Sequence, residues 1–191
     1  MAVSGRYGGA YAVVARKLDL LPAQEQTDAM RRGLEFEERI QTAAEVLWRL
    51  RIVGEQTLIQ HQYRPEFRAT LDGMAVPHGI EEPTIDDVTH GVEVKTRGEN
   101  VPAAWDYWKP QTQWQMLCSG LPRTLLAEAV CGSDDEGEDT IVALKLHVEE
   151  ADADYQALLV EIADDLLRRI TEHDLPEPDA GALELVKQVT T

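Results

Sequence analysis

The spacing of apolar side chains changes period along this chain, and that change most constrains what the chain can fold into. Residues 24–51 carry Leu34, Ile40, Ala44, Leu47 and Leu50 near a 3.6-residue repeat, which predicts an amphipathic helix. Thr27, ahead of Met30 and Arg31, supplies an N-cap region for it. The period then falls to two. Residues 55–63 and 67–76 read as strands joined by a turn at Arg64-Pro65-Glu66, and 91–96 (GVEVKT) alternates as a half-buried strand does. Between them, 77–90 is punctuated by Pro, Gly and Asp and reads as a loop, as does 97–103. Residues 104–119 return to helix, with Pro110 near its start and Gly120 as a C-cap. Two strands follow at 122–131 and 139–148. A last helix over 150–173 lines up Leu158, Leu159, Ile162, Leu166, Leu167 and Ile170, and a short first helix falls within 5–20. This order predicts an α/β (α+β) domain, with one mixed central sheet flanked by helices. It spans 1–175 as a single domain, followed by a loosely held tail over 176–191, where Pro176, Pro178 and Gly181 interrupt regular structure.

Composition narrows the classes of function. No apolar run approaches the roughly 20 residues of a membrane helix. The first residues, MAVSGRYGGAYAVVARK, lack the basic-then-apolar order of a secretory signal. The expectation is a cytoplasmic protein with no membrane partner. The two cysteines, Cys118 and Cys131, are too few for a four-thiolate cluster, so no iron–sulfur cluster is expected. They read as small buried hydrophobes rather than a disulfide. The net charge of −17 argues against nucleic acid taken alone, because phosphate binders carry basic patches. Its distribution softens that: residues 1–75 hold 10 basic and 10 acidic side chains, and the acidic excess lies beyond them. A DNA-facing surface would draw on the first part, with Arg6, Arg31, Arg32 and Arg68 as candidates. An acidic chain can also meet phosphate through divalent metal ions.

Four local features carry chemistry when taken together. Glu37 lies in a helical stretch, Asp72-Gly73 ends a strand-like run, and Glu93-Val94-Lys95 lies on a short strand. Gln111, Gln113 and Gln115 lie on the helix after it. Strand residues two apart share a face, so Glu93 and Lys95 project side by side. A carboxylate can hold a hard divalent cation, and an ammonium beside it can orient or deprotonate water or balance charge on a phosphate. Asp72, on the preceding strand, could complete a pocket with Glu93. Such oxygen ligands suit Mg2+, with Mn2+ as the alternative. Each feature alone has an ordinary structural explanation, such as a surface ion pair, a turn or a solvated helix charge. Trp105, Trp108 and Trp114 could stack on bases, although core packing is the favoured role.

The stretches RRGLEFEERI, FRATLDGM, GVEVKT and PQTQWQMLCSG resemble, in order, motifs of the PD-(D/E)XK nucleases. They are most similar to those of the phage-type recombination exonucleases, the lambda exonuclease/YqaJ-like group. The resemblance implies a restriction-endonuclease-like core and a Mg2+-dependent deoxyribonuclease. Such an enzyme hydrolyses linear duplex DNA from its ends, 5′→3′, in phage-type recombination or DNA processing. It implies metal ligands at Asp72, Glu93 and the Val94 carbonyl, with Glu37 holding a second ion or its waters. Lys95 becomes the catalytic lysine, and Gln111 and Gln113 order the site or touch DNA. A single-strand annealing protein as partner, a ring-shaped homo-oligomer such as a trimer, and a bacterial or phage-infected cell also follow from it. The alternatives are a restriction- or repair-type endonuclease, or a non-catalytic DNA-binding module on the same fold. The chain departs from the pattern at Thr70-Leu71 before the Asp-Gly and in the long gap to Glu93. Its N-terminal stretch, where the family contacts the 5′-phosphate, matches only vaguely at Ser4-Gly5-Arg6.

Overall fold

The computed structural model describes residues 9–23, 25–103 and 105–183. They form two compact units. One comprises α1 (Gly9–Lys17), α4 (Ala153–Glu172) and the residues after it. The other, Gln26–Asp152, holds α2 (Asp28–Trp48), seven strands and α3 (Trp105–Ser119).

In the larger unit the strands are β1 (Leu50–Val53), β2 (Thr57–Gln60), β3 (Arg68–Leu71), β4 (Gly73–Pro77), β5 (His90–Gly98), β6 (Arg123–Ser133) and β7 (Asp139–Glu150). Five of them make a mixed sheet in the order β1-β4-β5-β6-β7, in which β5 and β6 run parallel and the other neighbours antiparallel. The parallel pair requires a crossover, and α3 supplies it. β2 and β3 form a separate two-stranded hairpin.

α2 starts where its sequence predicts, with the Thr27 hydroxyl accepting a hydrogen bond from the Met30 N–H at 3.2 Å. Its buried stripe is Phe36, Ile40 and Ala44, which pack on Ala127, Ala129 and Cys131 of β6. Leu34 and Leu47, expected in that stripe, are 61% and 60% exposed. A helix turns about 100° per residue, so position 34 faces away from the line of 36, 40 and 44, whereas 47 falls on that line but one residue before the helix ends at Trp48. The helix also ends sooner than expected. Arg49 turns left-handed at φ 55°, and Leu50 and Arg51 begin β1, a strand the helical reading absorbed.

The strand expected over 67–76 is two strands belonging to different sheets, broken at Asp72. Gly73 allows the break to pack closely: a Cβ there would lie 2.5 Å from Ile52 Cγ2 on β1. The 77–90 segment contains one short 3-10 turn, Ile85–Asp87. Cys118 and Cys131 are buried free thiols, and burial pushes the Cys118 thiol up to about 11. In the smaller unit Leu159 of α4 is buried while Leu158 stays exposed. Within the stretch expected to be a loose tail, Asp179 caps the Ala182 N–H at 2.7 Å and Ala182 is fully buried. No described helix is long and apolar enough to cross a membrane.

Candidate active site

Alternation along β5 puts Val92, Val94 and Thr96 toward α2, and Glu93, Lys95 and Arg97 on the opposite face, which α3 partly covers. Glu93 is 1% exposed. A carboxylate so buried needs partners, and it has three. Lys95 Nζ and Gln111 Nε2 both donate to its Oε1, the latter at 2.7 Å, and Gln115 Nε2 donates to Oε2 at 2.5 Å. Lys95 also donates to Gln111 Oε1 at 3.0 Å. Glu93, Lys95 and Gln111 thus close a three-membered ring that fixes the ammonium.

Asp72 reaches the same centre from the junction between the two sheets. Its Oδ2 accepts the Val94 N–H at 2.8 Å, on the edge of β5 that β4 leaves uncovered beyond Val92. The Val94 carbonyl leaves that same edge, because the amide and carbonyl of one strand residue point the same way. Glu37 arrives from α2. Gln56 bridges it to Asp72, donating to Glu37 Oε1 at 2.6 Å and to Asp72 Oδ1 at 3.4 Å. Gln41, one turn after Glu37, donates to Glu37 Oε1 at 3.4 Å and to the Asp72 carbonyl at 2.9 Å.

Burial raises the Glu93 and Asp72 carboxyls above their ordinary range, and Lys95 offsets this only in part. Glu37 is also raised by burial, with Asp72 and Glu55 adding repulsion against the hydrogen bond from Gln56. Asp72 and Glu93, two carboxylates whose charge the fold disfavours, lie beside one ammonium, and a hard divalent cation would offset that cost. Among the described residues no three acidic, histidine or cysteine side chains close on one point as a ready-made metal cage. The donors that fit an ion are therefore Asp72, Glu93 and the Val94 carbonyl. Glu37 is linked to Asp72 through Gln56.

Gln113 is not part of this centre. Two residues along a helix rotate about 200°, so it faces away from Gln111, whereas Gln115, at i+4, returns to the same side. Gln113 instead ties α3 to the end of β7. Its Nε2 donates to Glu149 Oε1 and the Glu150 carbonyl, both at 2.9 Å, and its Oε1 accepts the Asp152 N–H at 2.9 Å. Gln113→Ala is expected to lower stability by about 2 kcal/mol, since it removes the three hydrogen bonds of a buried amide side chain. It should leave turnover within about twofold. Urea unfolding beside rate measurement checks both.

Of the cations expected to face DNA, Arg31, Arg32 and Arg68 are described, and each has a partner within the protein. Arg31 pairs with Asp28 and Glu35 along its own helix, and Arg32 with Asp139 at 2.8 Å. Arg68 is exposed, its Nε donating to the Pro65 carbonyl. Arg6 and the Trp105 side chain lie outside the described residues. Trp114 packs on Phe67, with ring centroids 4.8 Å apart, and donates to the Arg68 carbonyl, so it serves the hairpin. Trp108 is half-buried. Sequence reasoning missed Gln41 and Gln56, and named Gln115 without giving it a role. The i+4 spacing of Gln41 from Glu37 and of Gln115 from Gln111 was the available signal for two of them. Gln56 depends on its left-handed backbone, φ 50°, which nothing in the local sequence announces.

No protein-family model matches the sequence, and no curated protein is similar to it. Solved structures are similar in fold. The chain superposes on the alkaline exonuclease (LHK-Exo) from Laribacter hongkongensis with a TM-score of 0.59 at 19% identity, covering 95% of this chain and 82% of that one. The same exonuclease in complex with dAMP gives 0.58 at 18% identity, over 86% and 78%. The chain therefore shares the fold of that alkaline exonuclease, a mixed sheet flanked by helices.

Proposed function

We propose that this protein is a Mg2+-dependent deoxyribonuclease that degrades linear duplex DNA from its ends, 5′→3′. One observation carries the reading. Asp72, from the junction between the two sheets, meets Glu93 and Lys95, from one face of β5, around the edge of β5 that β4 leaves uncovered at Val94. The similarity in fold to an exonuclease, crystallised once with dAMP, supports it. Asp72, Glu93 and the Val94 carbonyl would hold the ion, and Glu37 would orient water beside it. When bound, Mg2+ supplies Lewis acidity toward the phosphate and lowers the pKa of a water ligand. The chain's own residues do the rest. Lys95 Nζ, fixed by Glu93 and Gln111, stands ready to donate to the phosphate oxygen or to steer the attacking water. Gln111 holds the Lys95 rotamer, and Gln115 anchors Glu93 to the Thr70 carbonyl at 2.8 Å on β3. Such pre-set geometry lowers the reorganisation needed at the transition state.

A ring-shaped homo-oligomer and a single-strand annealing partner, in phage-type recombination or DNA processing, belong to the same proposal. The test compares linear duplexes bearing 5′-phosphate or 5′-hydroxyl ends with covalently closed circles, in Mg2+ and then in Mn2+. Loss of linear DNA alone, faster with 5′-phosphate, is the expected result. Cutting of closed circles would make the protein an endonuclease. Absence of cleavage with either ion would leave a DNA-binding module.

A further inference from the structure

We propose that the substrate strand leaves the catalytic centre across β6 toward β7, and that the Lys145 ammonium holds a backbone phosphate there. The inference rests on the nuclease reading above and names the path of its substrate.

The sheet register sets up the geometry. Lys95 is paired with Glu128 across β5–β6, and Glu128 with Lys145 across β6–β7. Directly paired residues share a face, so Lys95, Glu128 and Lys145 form a row on the catalytic side of the sheet. Strands lie about 4.8 Å apart, which puts Lys145 two strand spacings, about 10 Å, from Lys95. A helical DNA strand advances about 3.4 Å per nucleotide, so the row spans about three nucleotides.

Charge separates Lys145 from its neighbours. Glu128, in the middle of the row, is 1% exposed and already occupied: Arg97 Nε donates to its Oε1, and His147 Nε2 lies 3.5 Å from its Oε2. Arg97 also donates to the Val101 carbonyl at 2.7 Å, which ties it to the loop before α3. Three further cations of this unit sit in ion pairs: Lys109 with Asp152, Arg123 with Glu150 and Arg32 with Asp139. Lys145 is exposed and makes no ion pair or side-chain hydrogen bond among the described residues. In a chain of net charge −17, a polyanion is repelled by most of the surface. An uncommitted ammonium in line with the catalytic lysine marks the side where approach is least opposed. The ordinary alternative is that Lys145 guards β7, an edge strand, against pairing with another chain.

The experiment measures KM and kcat on linear duplex DNA across a salt series for the wild type, Lys145→Ala, Lys145→Glu and a distant control, Lys17→Ala. Equilibrium binding of a fluorescein-labelled duplex with one single-stranded end, in EDTA, runs alongside. Lys145→Ala is expected to raise KM and Kd about fivefold, and Lys145→Glu further. kcat should hold within about twofold, and the salt slope should fall by about 1, as loss of one phosphate contact requires. The control should match the wild type. Unchanged KM, Kd and slope in both Lys145 variants of an active enzyme would overturn the inference and leave the nuclease reading standing; aggregation as the only effect would assign Lys145 to edge protection. If the wild type cuts no DNA, the nuclease reading fails. The binding arm then still decides: equal Kd values for wild type and Lys145→Glu overturn the contact.

Discussion

Lys95→Ala is expected to slow cleavage of linear duplex DNA about a thousandfold, equivalent to about 4 kcal/mol of barrier. The ammonium is fixed by Glu93 and by Gln111 Oε1 at 3.0 Å, and alanine removes charge and donor together. The substitution also acts on the fold, because Glu93 is 1% exposed and Lys95 is its cationic partner. Leaving a buried carboxylate without its counter-charge costs about 3 kcal/mol. A slow variant that is merely unfolded would prove nothing, so the informative partner is Lys95→Arg. Guanidinium keeps the positive charge beside Glu93 and should restore most of the melting temperature. Its planar fork does not reproduce the compact ammonium held against Gln111, so the rate should stay depressed by at least about a hundredfold. Stability recovered without rate assigns Lys95 to the reaction. Near wild-type turnover by Lys95→Ala, at a temperature where circular dichroism shows it folded, would remove Lys95 from the mechanism.

Glu93 and Lys95 were legible in the sequence because their relation is local. Alternation over GVEVKT puts them on one face whatever surrounds them, and the structure keeps them there. The helix Asp28–Trp48 and its Thr27 cap were legible for the same reason. What escaped depends on long-range pairing. β1 looks like the end of a helix until its partner β4 is known, since Leu50 and Arg51 fit either period. The strand over 67–76 looks continuous. Its break at Asp72 arises because Leu71 pairs with Thr57 in one sheet and Gly73 with Val92 in another. That break is what turns the Asp72 carboxylate to the edge of β5. Gln113 was misplaced by counting glutamines without turning the helix, for 111 and 115 share a face and 113 does not. The pairing of the basic residues was hidden for a different reason. Arg31 and Arg32 are positive in the sequence but meet acids in space, and Asp139 lies 107 residues from Arg32.

Asp72→Asn should give a protein that is inactive yet, without metal, harder to melt at neutral pH than the wild type. Burial holds the Asp72 carboxyl above its ordinary value despite the hydrogen bond from Val94 and the attraction of Lys95. A carboxyl raised by folding contributes stability that is complete below its unfolded value, near pH 4, and lost as pH rises through the folded value. In EDTA at pH 7 the wild type therefore carries a carboxyl whose ionised form the fold disfavours. Asparagine does not titrate, and its Oδ1 can still accept the Val94 N–H. The variant's melting temperature should thus exceed that of the wild type at pH 7, and the gap should close toward pH 4. Adding Mg2+ should reverse the order. At a hundred times its dissociation constant the ion would stabilise the wild type by about 2.7 kcal/mol, whereas the variant, lacking one of two carboxylate ligands, should gain little. Cleavage should fall by at least about a thousandfold, because the group that would hold the ion against the phosphate is gone. Differential scanning fluorimetry over pH, with and without Mg2+, reads these expectations directly. A variant that melts below the wild type in EDTA at pH 7 would show that the Asp72 charge is supported by the fold rather than waiting for a cation. Equal Mg2+ shifts in the two proteins would place the ion elsewhere.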